Sequence, residues 1–83
     1  MINNTICLAD LKENESGIIT SIDTKSATAQ RLLDLGFVPG TQIKALKRAP
    51  MGDPTTFEIR GYQLGLRRSE SEIIEVEITT YGK

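Results

Sequence analysis

The run Leu35-Gly36-Phe37-Val38-Pro39-Gly40 stops a helix and turns the chain almost at once. Gly36 stands where a left-handed residue ends a helix, because glycine has no Cβ to clash at positive φ. Phe37 follows where an apolar side chain packs back on the last turn, here on Leu32. Pro39 and Gly40 suit the two central positions of a type II turn. Proline presets φ at the first, and glycine takes positive φ at the second. The run therefore sets a helix up to Leu35 and a strand after Gly40.

Thr24 to Leu35 reads as that helix, with Asp23, Thr24 and Ser26 as candidate N-caps. At about 100° per residue, Thr28, Ala29, Leu32 and Leu35 share one face. Leu33 lies on its flank, and Gln30, Arg31 and Asp34 point away. Before the helix, Thr5 to Leu11 is apolar enough to be tied onto a core, and Asn14-Glu15-Ser16-Gly17 reads as a turn. Ile18 to Asp23 is β-branched and apolar, so a first strand is expected there. The spacing of three between Ile19 and Ile22 breaks alternation and predicts a bulge.

Thr41 to Ala49 is a second strand, with Ile43 and Ala45 on one side and Gln42, Lys44 and Arg48 on the other. Pro50-Met51-Gly52-Asp53-Pro54 must be a loop, and Asp53 is expected to hold it by bonding local backbone N–H groups. Thr55 to Arg60 alternates Phe57 and Ile59 against Glu58 and Arg60. Gly61-Tyr62 is expected to turn the chain into Gln63 to Arg67, with Leu64 and Leu66 inward. Arg68 to Glu72 suits a helical turn. Ile73 to Thr79 closes the set, with Ile74, Val76 and Ile78 against Glu75 and Glu77. Five short strands and one short helix, about residues 24–35, predict a mainly-β fold: a small barrel or closely rolled sheet that hides its edges.

A chain of 83 residues has room for one core, so one domain over 1–83 is expected, with 79–83 a flexible tail. Lys and Arg number 10 against 11 Asp and Glu, which argues against a dedicated nucleic-acid binder. No apolar run approaches the ~20 residues of a membrane span, and no signal peptide is visible. The lone Cys7 cannot pair within the chain, so a reducing, cytoplasmic setting is expected. In its apolar stretch Cys7 reads as a packed small hydrophobe; the alternative is a reactive or dimer-forming thiol.

The chain has no histidine, so no Ser-His or Cys-His catalytic pair can form. It has no Gly-x-x-x-x-Gly-Lys-Ser/Thr loop for a nucleotide. The expectation is a protein without catalytic, cofactor or metal residues. Asp10, Glu13 and Glu15, and separately Glu70 and Glu72, read as solvated loop charge. A weak divalent-ion site there is the alternative; a tight Fe(II) site would normally recruit imidazole or a cysteine cluster.

One set of spacings resembles a known family. Leu8-x-x-Leu11, Gly17 and Arg31-Leu32-x-x-Leu35-Gly36-x-x-Pro39-Gly40 begin it. Ala49-Pro50-x-Gly52-Asp53-Pro54, Gly61 and Leu64-x-Leu66-Arg67 continue it, over roughly residues 8–78. The pattern is similar to the FeoA family. The resemblance implies a cytoplasmic SH3-like β-barrel, accessory to ferrous iron uptake. Such proteins act on FeoB, an inner-membrane transporter with a cytosolic GTPase domain. One departure is Ser71 after Glu70, where the family often has alanine; its hydroxyl needs a partner if buried.

Without chemistry of its own, such a chain acts through its surface. Leu33 on the helix flank and Met51 in the loop are candidate apolar contacts. Arg31, Arg67 and Arg68 are candidates for an acidic partner surface, since arginine suits bidentate carboxylate contacts. Gly36, Pro39, Gly40, Pro50, Gly52, Asp53, Pro54 and Gly61 read as turn and cap residues. The expected partner is the cytosolic face of a FeoB-like transporter, with no nucleic acid, no membrane span in this chain, and peripheral membrane location through the partner. Self-association through a strand edge stays open. Two other readings compete: a regulatory module like the C-terminal domain of iron-dependent repressors, and a small RNA-binding barrel. The second is weakened by having only two Tyr and two Phe for base stacking.

Overall fold

The computed structural model describes residues 5–79. The helix stop forms as its residues dictate. Helix α1 spans Ala29–Leu35, and Gly36 follows at φ 112°. Gly36 N–H donates to Leu33 O and Phe37 N–H to Leu32 O, both at 3.0 Å. These two bonds make a Schellman motif, and Leu32 and Phe37 both end fully buried. Gly40 has φ 93° and Thr41 N–H donates to Val38 O at 3.1 Å, closing the turn at Pro39-Gly40.

The helix starts later than Thr24. Ser26 N–H bonds Asp23 O and Ala29 N–H bonds Ser26 O, each at 3.1 Å, so turns lead up to Thr28. Asp23 accepts from Lys25 N–H at 3.0 Å, and Ser26 Oγ from Thr28 N–H at 3.3 Å. Neither caps α1. Short polar side chains compete for nearby N–H groups and favour turns over a helix.

Among the described residues six strands form rather than five. They are β1 (Thr5–Cys7), β2 (Ser16–Ile22), β3 (Gln42–Arg48), β4 (Thr55–Ile59), β5 (Tyr62–Leu66) and β6 (Ile74–Ile78). All neighbours are antiparallel, in the order β1-β6-β2-β3-β4-β5. A short helix α2, Arg68–Ser71, joins β5 to β6. The strands pair in a line, without a β1–β5 ladder to close the ring. The sheet is nonetheless rolled. Leu66 of β5 and Val76 of β6 share one buried cluster. A flat sheet would hold strands four places apart at about 19 Å. Inward residues alternate as expected, with Ile43, Ala45, Phe57, Ile59, Ile74 and Val76 all buried.

Several local expectations change. After β1 a 3-10 turn, Leu8–Asp10, brings Leu8 and Leu11 to full burial. The next turn lies at Lys12–Glu15, closed by Glu15 N–H to Lys12 O with Asn14 at φ 70°. Ser16 and Gly17 are strand, not turn. Gly17 serves a close approach instead, because a Cβ there would sit 2.8 Å from Glu77 O. The bulge expected near Ile19 appears as a register shift against β6 between Ile19 and Ser21. The β4–β5 turn is Arg60-Gly61, at φ 52° and 86°, and Tyr62 already pairs with Ile59.

Arg48 does not share the outward face of Gln42 and Lys44. A register shift between Ala45 and Lys47 resets the alternation. Arg48 Nε donates to Thr55 Oγ1 at 3.1 Å and Nη2 to Leu11 O at 2.9 Å. Its own N–H donates to Glu13 Oε2 at 2.8 Å. Arg48 thus ties the end of β3 to the segment after β1. Thr79 N–H donates to Ser16 O at 2.9 Å; the rest of the expected tail, residues 80–83, lies outside the described residues.

Candidate functional site

Most of the sequence-predicted contact residues gather around α2. This helix has four residues, so its ends dominate its chemistry. Glu70 Oε1 accepts Arg67 N–H at 2.8 Å, and Asp53 Oδ1 accepts Arg68 N–H at 2.8 Å. Asp53 therefore does not bond within its own loop. It carries the loop onto the first N–H of α2, that of Arg68, which the helix itself leaves unsatisfied. Ser71, 2% exposed, shares its hydroxyl proton between Arg67 O and Arg68 O, both at 3.3 Å. That is the partner its buried hydroxyl required.

The three candidate arginines are already paired. Arg31 bonds the second carboxylate oxygen of Glu70, joining α1 to α2. Arg68 reaches Glu72 Oε2 at 3.1 Å and Asp10 Oδ1 at 3.4 Å. Arg67 Nη1 lies 4.0 Å from Asp53 Oδ2. Charges alternate across this patch, so it offers a partner less positive potential than three free arginines would.

Met51 stands on the loop that Asp53 ties to α2 and is 91% exposed. The loop is closed by Gly52 N–H to Ala49 O at 2.7 Å and Ala49 N–H to Pro54 O at 2.9 Å. Leu33 belongs elsewhere. Two residues along a helix turn about 200°, so with Arg31 facing α2, Leu33 faces away. It is half-buried and lies outside the apolar residues packed on the core. The structure thus divides the candidates into an α2 patch and a separate α1 flank.

Pro39, Gly40, Gly52 and Gly61 sit in the turns described, with Pro50 and Pro54 bracketing the β3–β4 loop. Gly36 has an added constraint. A Cβ there would meet Arg60 Cδ at 3.1 Å, because Arg60 lies across the end of α1. The Tyr62 hydroxyl donates to Leu35 O in the same place. Sequence reading did not find this cover, since Tyr62 was placed in the turn.

The same hairpin borders a cleft of about 390 Å³ on the β2–β3–β4 face, with Lys44, Glu58 and Arg60 in its lining. No motif marked it. The loop carboxylates have their own partners: Asp10 with Arg68, Glu13 with Arg48 N–H, and Glu15 with Lys12 N–H. Among the described residues, no three His, Cys, Asp or Glu side chains are grouped to hold a metal. Cys7 is half-buried, its thiol 3.4 Å from Glu72 O. Among the described residues, no helix is long and apolar enough to cross a membrane.

A rolled antiparallel sheet with short loops and two short helices defines an SH3-like domain. The chain belongs to the FeoA domain family, whose family model matches residues 6–78. The family is linked to ferrous iron transport. The chain is 32% identical over 71 residues to an Fe(2+) transport protein A/Fe(2+) transporter FeoB fusion protein of Porphyromonas gingivalis. That match covers 86% of this chain and 8% of the fusion protein's length. A FeoA-like protein of Clostridium acetobutylicum superposes with TM-score 0.91 at 34% identity, over 100% of this chain and 95% of that one. A Stenotrophomonas maltophilia FeoA complexed with zinc, described as a procaryotic SH3 domain protein, gives TM-score 0.75 at 28% identity, over 86% and 88% of the chains. A manganese-dependent transcriptional repressor shares the fold alone, at 13% identity and TM-score 0.82, over 94% of this chain and 44% of that one.

Proposed function

We propose that this chain is a non-catalytic accessory of ferrous iron uptake that docks on the cytosolic part of a FeoB-type transporter. The observation that carries the reading is the fusion protein, in which a segment like this chain shares one polypeptide with a FeoB transporter. A domain joined to its partner works at high effective concentration; one on a separate chain needs a contact surface. Met51, 91% exposed on the tied loop, supplies an apolar contact at the α2 patch, and Leu33, half-buried off the core, supplies another on the separate α1 flank. Arg67, 4.0 Å from Asp53 on the same loop as Met51, adds a polar contact beside it.

The test is binding of the purified chain to the cytosolic part of a FeoB transporter. Leu33→Glu and Met51→Glu are each expected to keep the wild-type unfolding midpoint and to weaken binding about tenfold or more, as loss of a buried apolar anchor does. Both variants binding like wild type would place the contact elsewhere. The chain alone is expected to hydrolyse no GTP, and calorimetry is expected to find no Fe(II) binding at micromolar affinity.

A further inference from the structure

Strand β5 is the longer open edge of the sheet. It pairs with β4 on one side only, from Thr55–Leu66 to Ile59–Tyr62, without a register shift. The Arg60-Gly61 turn fixes which of its backbone groups face outward. Positive φ at both residues makes this a two-residue type I′ turn. The pair flanking such a turn, Ile59–Tyr62, exchanges hydrogen bonds, and bonded and non-bonded pairs then alternate along the ladder. Tyr62, Leu64 and Leu66 therefore direct their N–H and C=O groups to β4. Gln63 and Gly65 direct theirs away from it, two donors and two acceptors, and no other described element bonds them.

Nothing in the strand discourages a neighbour. Tyr62-Gln63-Leu64-Gly65-Leu66 has no charge, proline or bulge, the usual devices that protect an edge. Tyr62 is 41% exposed and Leu64 half-buried, so apolar surface accompanies the free backbone groups. The opposite edge, β1, has three described residues.

The outward groups are also self-complementary. Set two copies antiparallel about a two-fold axis at Leu64, and Gln63 of each copy lies opposite Gly65 of the other. Each N–H then meets a C=O in both directions. Leu64 meets its own counterpart in a close non-hydrogen-bonded pair, and Tyr62 faces Leu66. Gln63 opposite a glycine has room, and no charge within β5 meets a like charge. An unrelated strand would find the same backbone groups, but the two-fold match favours a second copy. We propose that two copies of this chain associate through β5 and join their sheets into one continuous sheet.

The experiment is analytical ultracentrifugation of the full chain, under reductant to silence Cys7, from micromolar to millimolar concentration. The expected mass rises from 9.1 kDa towards twice that value. Gly65→Pro removes an outward N–H and leaves the bonds to β4, so it is expected to weaken the dimer about tenfold or more with unchanged far-UV circular dichroism. The amides of Gln63 and Gly65 are expected to exchange more slowly in concentrated than in dilute wild-type samples. A chain that stays monomeric at millimolar concentration overturns the proposal, as does a folded Gly65→Pro variant that dimerises as tightly as wild type. Should that variant lose its fold, the wild-type exchange decides: rates at Gln63 and Gly65 that ignore concentration overturn the proposal. A FeoB segment that occupies β5 while the chain alone stays monomeric overturns it too, and leaves the proposed function standing.

Discussion

Two glycines in this chain lack a side chain for different reasons, and the difference is measurable. A methyl on Gly17 would sit 2.8 Å from Glu77 O and 3.3 Å from Val76 Cβ. On Gly65 the nearest such atom is 3.9 Å away. Gly17→Ala is expected to cost about 2–3 kcal/mol by overpacking, whereas Gly65→Ala should be neutral or stabilise by a few tenths of a kcal/mol. Urea unfolding of both variants checks this. Arg48→Ala should cost about 2–3 kcal/mol, because it strips a charge-assisted donor from Leu11 O and Thr55 Oγ1. The role of Arg48 was hidden in the sequence. The bulge that turns it carries no glycine or broken spacing, unlike the one that Ile19 and Ile22 announce. Ser71 was partly legible: its need for a partner followed from its chemistry, while the two carbonyls that meet it did not.

At the scale of elements, α1 was legible at one end only. Its C-terminus is written in glycine chemistry that few other residues can satisfy. Its N-terminus falls among Asp23, Thr24 and Ser26, which cap helices and close turns equally well. β1 escaped notice because three residues cannot display a period. α2 offers a sharper test. Glu70 holds both the start of α2 and Arg31 of α1. With its side chain 54% exposed, Arg31 gains little from that ion pair. Arg31→Ala is thus expected to cost less than about 1 kcal/mol, and Glu70→Ala about 1–2 kcal/mol, since the second also uncaps α2. A double-mutant cycle in low and high salt separates the two contributions; equal losses would assign Glu70 wholly to the ion pair.

At the scale of the molecule, the rolled sheet followed from alternation in β3, β4 and β6, where one face is buried and the other wet. The pairing of the surface arginines did not follow. Arg31 and Arg67 look free in sequence because their partners lie far along the chain, Glu70 39 residues from Arg31 and Asp53 14 from Arg67, whereas Arg68 has one near partner, Glu72 at i+4, besides Asp10 58 residues away. With those charges satisfied internally, docking through Leu33 and Met51 is expected to depend only weakly on salt. A binding constant that collapses between low and physiological ionic strength would instead return the arginines to the centre of the contact.

The position of β2 has a consequence for how the chain acquires its structure. Gly17 pairs with Ile43 on one side and Ile78 on the other. Those partners arrive 26 and 61 residues later, so the central strand is completed by contacts of high sequence separation. Such topologies fold slowly for their size, because long loops must close before any reward is gained. During synthesis, β2 through β5 leave the ribosome with one side of β2 still unpaired. Only the arrival of Ile74–Ile78 supplies the missing ladder, and with it the last inner wall of the fold.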